Sequence, residues 1–162
     1  MKVNMQLSPK KEFSRFSTNY QHLSTIQQKI AKELITQTQK RYQKKSTLLD
    51  IGCGNGNIFK QIDWNIKNFY GIDISHNMCK LHPKDKHIHI KESNFDNIEI
   101  FNEYKDKNID IIISSSALQW SNNLNNVFKE ISKISKQIAI SIFTNKSLNL
   151  LQIGRASCRE RV

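Results

Sequence analysis

The chain has 162 residues, enough for one domain with a real core and not obviously enough for two. Its 25 Lys and Arg outweigh 14 Asp and Glu, a formal charge of +11 that would draw nucleic acid, an anionic membrane or an acidic protein without specifying a fold. The opening MKVNMQLSPKK has no apolar signal region, and the longest apolar run, Ile109 to Ile113, is broken by Asp110 and far too short to span a bilayer, so a cytoplasmic protein without membrane contact is expected.

In chain order, Leu23, Ile26, Ile30, Leu34 and Ile35 recur at three or four residues and predict an amphipathic helix from Tyr20 to about Gln39. Thr47 to Ile51 reads as a buried strand, and Asn57 is placed to cap a helix running to about Asp63. Phe69 to Ile74, Ile88 to Lys91 and Ile109 to Ser114 read as three more strands. Leu124, Val127, Phe128, Ile131 and Ile134 mark a helix, and Gln137 to Phe143 a fifth strand. Strands alternating with helical or irregular crossovers predict an α/β fold with a doubly wound, mainly parallel sheet.

The final stretch, Ile153 to Val162, breaks the composition from Lys, Asn and Ile to Arg, Ala and Cys. IGRASCRERV is the translation of ATC GGA AGA GCG TCG TGT AGG GAA AGA GTG, which resembles a common sequencing-adapter oligonucleotide. The expectation is a non-native tail at residues 153–162 and a natural chain truncated near Gln152. Without its three Arg and one Glu the charge falls by two, from +11 to +9. The two remaining cysteines, Cys53 and Cys79, have no disulfide spacing and fit a reducing compartment. The Lys, Asn and Ile bias follows equally from AT-rich coding DNA, so a nucleic-acid partner is not favoured.

The chemistry concentrates in LLDIGCGNG, where Asp50, Gly52, Gly54 and Gly56 form D-x-G-x-G-x-G and Asp73 closes the next strand. Closely spaced glycines after a strand build a tight turn whose backbone can approach a nucleotide-like ligand, with the acid placed for ribose hydroxyls. A dinucleotide site has its third glycine one residue later, so the turn is less suited to a pyrophosphate. His82, His87 and His89 with Cys79 match no standard zinc spacing, and no metal site is expected.

This motif resembles motif I of the class I S-adenosylmethionine-dependent methyltransferases, a Rossmann-like family. The resemblance implies S-adenosyl-L-methionine as cofactor, its amino acid part on the glycine turn and its ribose on Asp73, with Ile74 alongside. Asn94 stands where a polar group would meet the adenine amine, and Phe95 where a backbone N–H and an apolar edge would meet the ring. Ser114 ends the fourth strand beside the cofactor. SSSALQW, from Ser114 to Trp120, is similar to the S-N-x-A-L-Q-W segment of the malonyl-[acyl-carrier protein] O-methyltransferases of biotin synthesis, with Ser115 in place of Asn. FSRFSTNYQHLSTIQ matches that family's opening segment at Phe13, Arg15, Tyr20 and Gln27, and SIFTNKSLNLLQ its segment after the fifth strand. These matches imply esterification of a malonyl thioester on an acidic acyl-carrier protein, with Tyr20, Gln119 and Trp120 around the reacting groups. The trans-aconitate methyltransferases, which also carry Q-W after the fourth strand, are the alternative, as is a cofactor-binding remnant without activity. The expected organisation is a helical lid at residues 1–45, an incomplete cofactor-binding core at 46–152 and the tail.

Overall fold

The computed structural model describes residues 20–43 and 45–143, with side chains from Thr25 onward. Five strands form one sheet: β1 (Thr47–Ile51), β2 (Asn68–Asp73), β3 (Ile88–Glu92), β4 (Ile111–Ser115) and β5 (Ile138–Ser141). Their order is β3-β2-β1-β4-β5, and every pairing is parallel. The chain builds outward from β1 through β2 to β3, then crosses to the other side for β4 and β5. The direction therefore reverses between β1 and β4, the switch point where open α/β sheets leave a crevice at their carboxyl ends.

The period-two alternation of β1 and β4 divides the core between two faces. Leu48, Ile111 and Ile113 bury one face with Ala31 and Ile35 of helix α1 (Tyr20–Arg41). Leu49, Ile51 and Ile112 bury the other, with Phe101 and Tyr104 from a 3₁₀ segment (Ile98–Tyr104) and Val127 and Ile131 of helix α3 (Leu124–Ile131). A third helix, α2 (His76–Leu81), follows β2. No helix among the described residues is long and apolar enough to cross a membrane.

Several expected elements shift. Of the expected stripe on α1 Ile35 is buried, but it shares the most buried seam with Ala31 and Thr38, small side chains that suit close packing on the sheet. Ile30 and Leu34 are only half-buried. Asn57 does not cap a helix: the segment is a short 3₁₀ turn, Phe59–Gln61, with Ile58 before it making no side-chain capping bond. A single Lys60 N–H to Gly56 carbonyl bond gives way at once to three-residue bonds, so no longer helix forms. β4 starts at Ile111; the Asp110 N–H before it already donates to the Thr47 carbonyl at 2.8 Å, and the Asp110 side chain is committed to the start of β1.

That commitment fixes the centre of the sheet. Asp110 Oδ2 accepts from the Ser46 N–H at 3.0 Å, the Ser46 hydroxyl at 2.9 Å and the Thr47 N–H at 3.0 Å, tying the starts of β1 and β4 together. The carboxylate is nearly buried and these bonds share one oxygen. Replacement of Asp110 by Ala is expected to cost about 3 kcal/mol, since each donor is left with at best a weakened partner. Urea denaturation of the variant against the parent protein measures this.

Candidate functional site

β1 ends in the glycine turn, and its backbone is left-handed at each glycine: φ is 76° at Gly52, 53° at Gly54 and 87° at Gly56. The Gly52 and Cys53 N–H groups donate to the Ile72 carbonyl at 2.7 and 3.0 Å, pinning the turn to β2. A Cβ on Gly52 would lie 2.2 Å from the Cβ of Ala117, so the turn abuts the loop after β4 with no room for a side chain. Gly54 instead faces open space. Gly56 does not line the cavity: a Cβ there would meet Pro83 at 2.7 Å and the His82 ring at 3.1 Å, so its role is close packing onto the end of α2.

A cavity of about 280 Å³ opens at this switch point. Asp50, Gly52, Gly54, Asp73, Ile74, Asn94, Phe95 and Trp120 all line it, together with Gln27 from α1. Asp73 is held by two backbone donors, the Gly54 N–H on Oδ2 and the Ser75 N–H on Oδ1, each at 2.8 Å. Asn94 has its Oδ1 on the Asp96 N–H at 2.9 Å.

Other expected residues fall outside the cavity. The Ser114 hydroxyl is fully buried and donates to the Ile51 carbonyl at 2.7 Å, because its position in β4 turns it into the sheet; Ser115 and Ser116 line the cavity in its place. Gln119 also stays off the wall, with its Nε2 donating to the Ser116 carbonyl at 2.9 Å. The Tyr20 side chain, with Phe13 and Arg15, lies outside the described residues.

Sequence reasoning missed Asp96. Its Oδ1 accepts from the Ser121 hydroxyl at 2.6 Å and its Oδ2 from the Asn122 N–H at 3.0 Å and Nδ2 at 2.8 Å, joining the loop after β3 to the loop that carries Trp120. The available signal was an acid two residues beyond Asn94. Asn55 was also passed over, although its Oδ1 is buried without a partner. Of the histidines weighed for metal, His82 packs against Phe59 and Phe69 and His89 stacks on Tyr70. Among the described residues no group of three His, Cys, Asp or Glu could hold an ion.

The electrostatics of the site are those of two carboxylates taken out of water. Asp50 is 1% exposed and neither carboxylate oxygen has a hydrogen-bond partner. Burial, and then the charge of Asp73, push its carboxyl well above the usual aspartate range. Burial also raises Asp73, opposed by its two backbone donors. Burial keeps Cys53 a thiol, aided by both carboxylates. Because both folded-state aspartates titrate above an unfolded one, the folded chain retains protons that the unfolded chain has released. Their contribution to stability is therefore fullest below about pH 4 and is lost as pH rises through the folded values. Asp50→Asn is expected to flatten this decline and to leave the ligand-free protein more stable than the parent at neutral pH. Urea midpoints taken across the range test it; an unchanged slope would contradict the burial account.

The chain matches, over residues 49–143, a family described as a methyltransferase domain. It is 30% identical over 118 residues to the malonyl-[acyl-carrier protein] O-methyltransferase of Bacillus cytotoxicus, covering 70% of this chain and 41% of that protein. It is 26% identical to the enzyme of the same description from Acetivibrio thermocellus, covering 93% and 54%. The chain thus spans about half the length of these curated relatives. Among solved structures, the plantazolicin methyltransferase BpumL in complex with SAH superposes with a TM-score of 0.68 at 19% identity, over 88% of this chain and 56% of that one. BamL, a plantazolicin methyltransferase solved with a triazolic desmethylPZN analog and SAH, gives a TM-score of 0.59 at 26% identity, over 83% and 51%. The parallel sheet, the left-handed glycine turn at its switch point and the family match over more than half of the sequence agree: the chain belongs to the methyltransferase domain family.

Proposed function

We propose that this chain is the cofactor-binding part of an S-adenosylmethionine-dependent methyltransferase that esterifies the free carboxylate of a malonyl group on an acyl-carrier protein. The observation that carries the cofactor assignment is the unpartnered, buried Asp50 carboxylate beside the glycine turn. A buried anion with two free oxygens is costly unless a ligand supplies positive charge or donors. An ammonium and a sulfonium, both present in S-adenosylmethionine, fit that need. Asp73, already oriented by two amides, retains lone pairs for ribose hydroxyls. Asn94 and Phe95 also line the cavity and are assigned to the adenine.

The bound donor supplies a methyl group on a positively charged sulfur. The acceptor carboxylate forms the new C–O bond as the methyl–sulfur bond breaks and the electron pair stays with sulfur; no proton moves. A carboxylate ionised at neutral pH needs no general base, so the chain's contribution is alignment and exclusion of water. Trp120, on the cavity wall, and Tyr20, at the start of α1, are assigned to that enclosure. The net positive charge fits encounter with an acidic carrier protein in the cytoplasm, an attraction that salt weakens. The acceptor itself is supported by the relatives described as malonyl-[acyl-carrier protein] O-methyltransferases and by the SSSALQW segment.

Asp73→Ala is expected to weaken S-adenosylmethionine binding by roughly tenfold to a hundredfold, the worth of hydrogen bonds to a charged acceptor, as read by calorimetry. The acceptor is tested by labelled methyl transfer from the full-length protein to malonyl-acyl-carrier protein and to trans-aconitate. A labelled malonyl methyl ester is the expected product. Transfer to trans-aconitate alone would reassign the acceptor, and binding without transfer to either would reduce the chain to a cofactor-binding module.

A further inference from the structure

The loop after β4 also holds a left-handed residue, and this one is not glycine. Ser116 has φ 57°, a region that an L-residue enters only against steric repulsion. Its neighbours hold it there. The Ser116 N–H donates to the Ser141 carbonyl of β5 at 2.9 Å, its carbonyl accepts from Gln119 Nε2 at 2.9 Å, and the next residue, Ala117, is wedged against Gly52. The residue is 8% exposed, yet its hydroxyl has no hydrogen-bond partner. Gln119 Oε1 is also buried without one, so the ordered bond of that side chain is the one to the Ser116 backbone. A strained backbone at a residue that lines the cavity, carrying a buried hydroxyl with no partner, is unfavourable unless that hydroxyl meets a ligand.

The balance of donors and acceptors identifies that ligand. Asp50, Asp73 and Asn55 present acceptor oxygens to the cavity, a surplus that suits a cation. A carboxylate needs donors instead, and no Lys, Arg or His is among the described residues that line the wall. Of the serines there, Ser75 and Ser115 are half-buried and each accepts one hydrogen bond, from the Met78 N–H and from the Ser141 hydroxyl, while keeping its own O–H to donate. Ser116 is the buried one whose hydroxyl is without a partner. It also follows β4, on the opposite flank of β1 from Asp73, which ends β2, and it shares its loop with Trp120.

We propose that the Ser116 hydroxyl donates a hydrogen bond to the carboxylate of the methyl acceptor, and that Gln119 is a positioning residue that holds Ser116 in its left-handed conformation. This rests on the function proposed above and adds the group that reads the acceptor's charge. A neutral donor suits the reaction, because the carboxylate loses its charge as the ester forms. A full ion pair would stabilise the ground state more than the transition state and slow the transfer.

The test measures initial rates against acceptor concentration at saturating S-adenosylmethionine in full-length protein, with donor affinity by calorimetry. Ser116→Gly removes the hydroxyl and relieves the left-handed backbone, so folding is not endangered. The expected result is a rise in acceptor KM of about tenfold or more, with kcat and donor affinity within about twofold of the parent. Gln119→Glu, which sets a carboxylate oxygen against the Ser116 carbonyl, raises the same KM, and the double variant adds nothing further because both changes act through one hydroxyl. An unchanged acceptor KM in Ser116→Gly, or a loss of donor affinity in its place, overturns the proposal while the methyltransferase reading stands. Failure of the parent protein to methylate any carboxylate overturns both.

Discussion

Gly52 and Ala117 cannot both carry more than they do. The space between the glycine turn and the loop after β4 would be closed to 2.2 Å by a single added methyl, and it is this contact that brings the two walls of the cavity together. Everything that lines the site depends on it: Asp50 and Asp73 are carried by the β1 and β2 side, Ser116 and Trp120 by the β4 side. A glycine here therefore has two functions, a left-handed backbone and an absent side chain, which no other residue supplies together.

The second constraint is electrostatic. Burying Asp50 among strands leaves a carboxylate with no internal donor in the most crowded part of the sheet, with Asp73 near enough to raise it further. A core built for stability alone would replace it with an apolar residue. The position is instead poised against a charge that arrives from outside, and the free protein carries a deficit that the ligand removes. Asp110, at the other end of the same strands, shows the contrast: three donors meet one of its oxygens.

Much of this was legible in the sequence. Runs of Leu and Ile bounded by Asp, Gly or Ser give the five strands in order, and the spacing from Asp50 to Gly56, followed by Asp73, marks the crevice. What the sequence hides is which way a side chain turns. Ser114, Ser115 and Ser116 are chemically identical, yet pleat and turn send the first into the sheet and the others to the cavity. Gln119 looks like a site residue because it is polar beside Trp120, but its amide is taken by a backbone carbonyl one turn back. The buried seam of α1 is hidden for another reason: Ala31 and Thr38 carry little hydrophobic weight, and their burial follows from how closely the helix approaches the sheet. Asp96 is found only when the loop after β3 is seen against Ser121 and Asn122.

The order of strands has a consequence for how the chain is made. β1 lies at the centre of the sheet, but the carboxylate that pins its start comes 63 residues after Thr47. At roughly 5–20 residues per second, a ribosome takes about three to thirteen seconds to deliver it. Within that interval β2 and β3 are made before β4, so the β4-facing edge of β1 is still unpaired. A nascent chain at this stage displays Leu48, Leu49 and Ile51 beside an open strand edge. The ligand crevice, whose second wall is the β4 loop, is thus completed only after β4 is made, and a ligand arriving earlier would meet half of it.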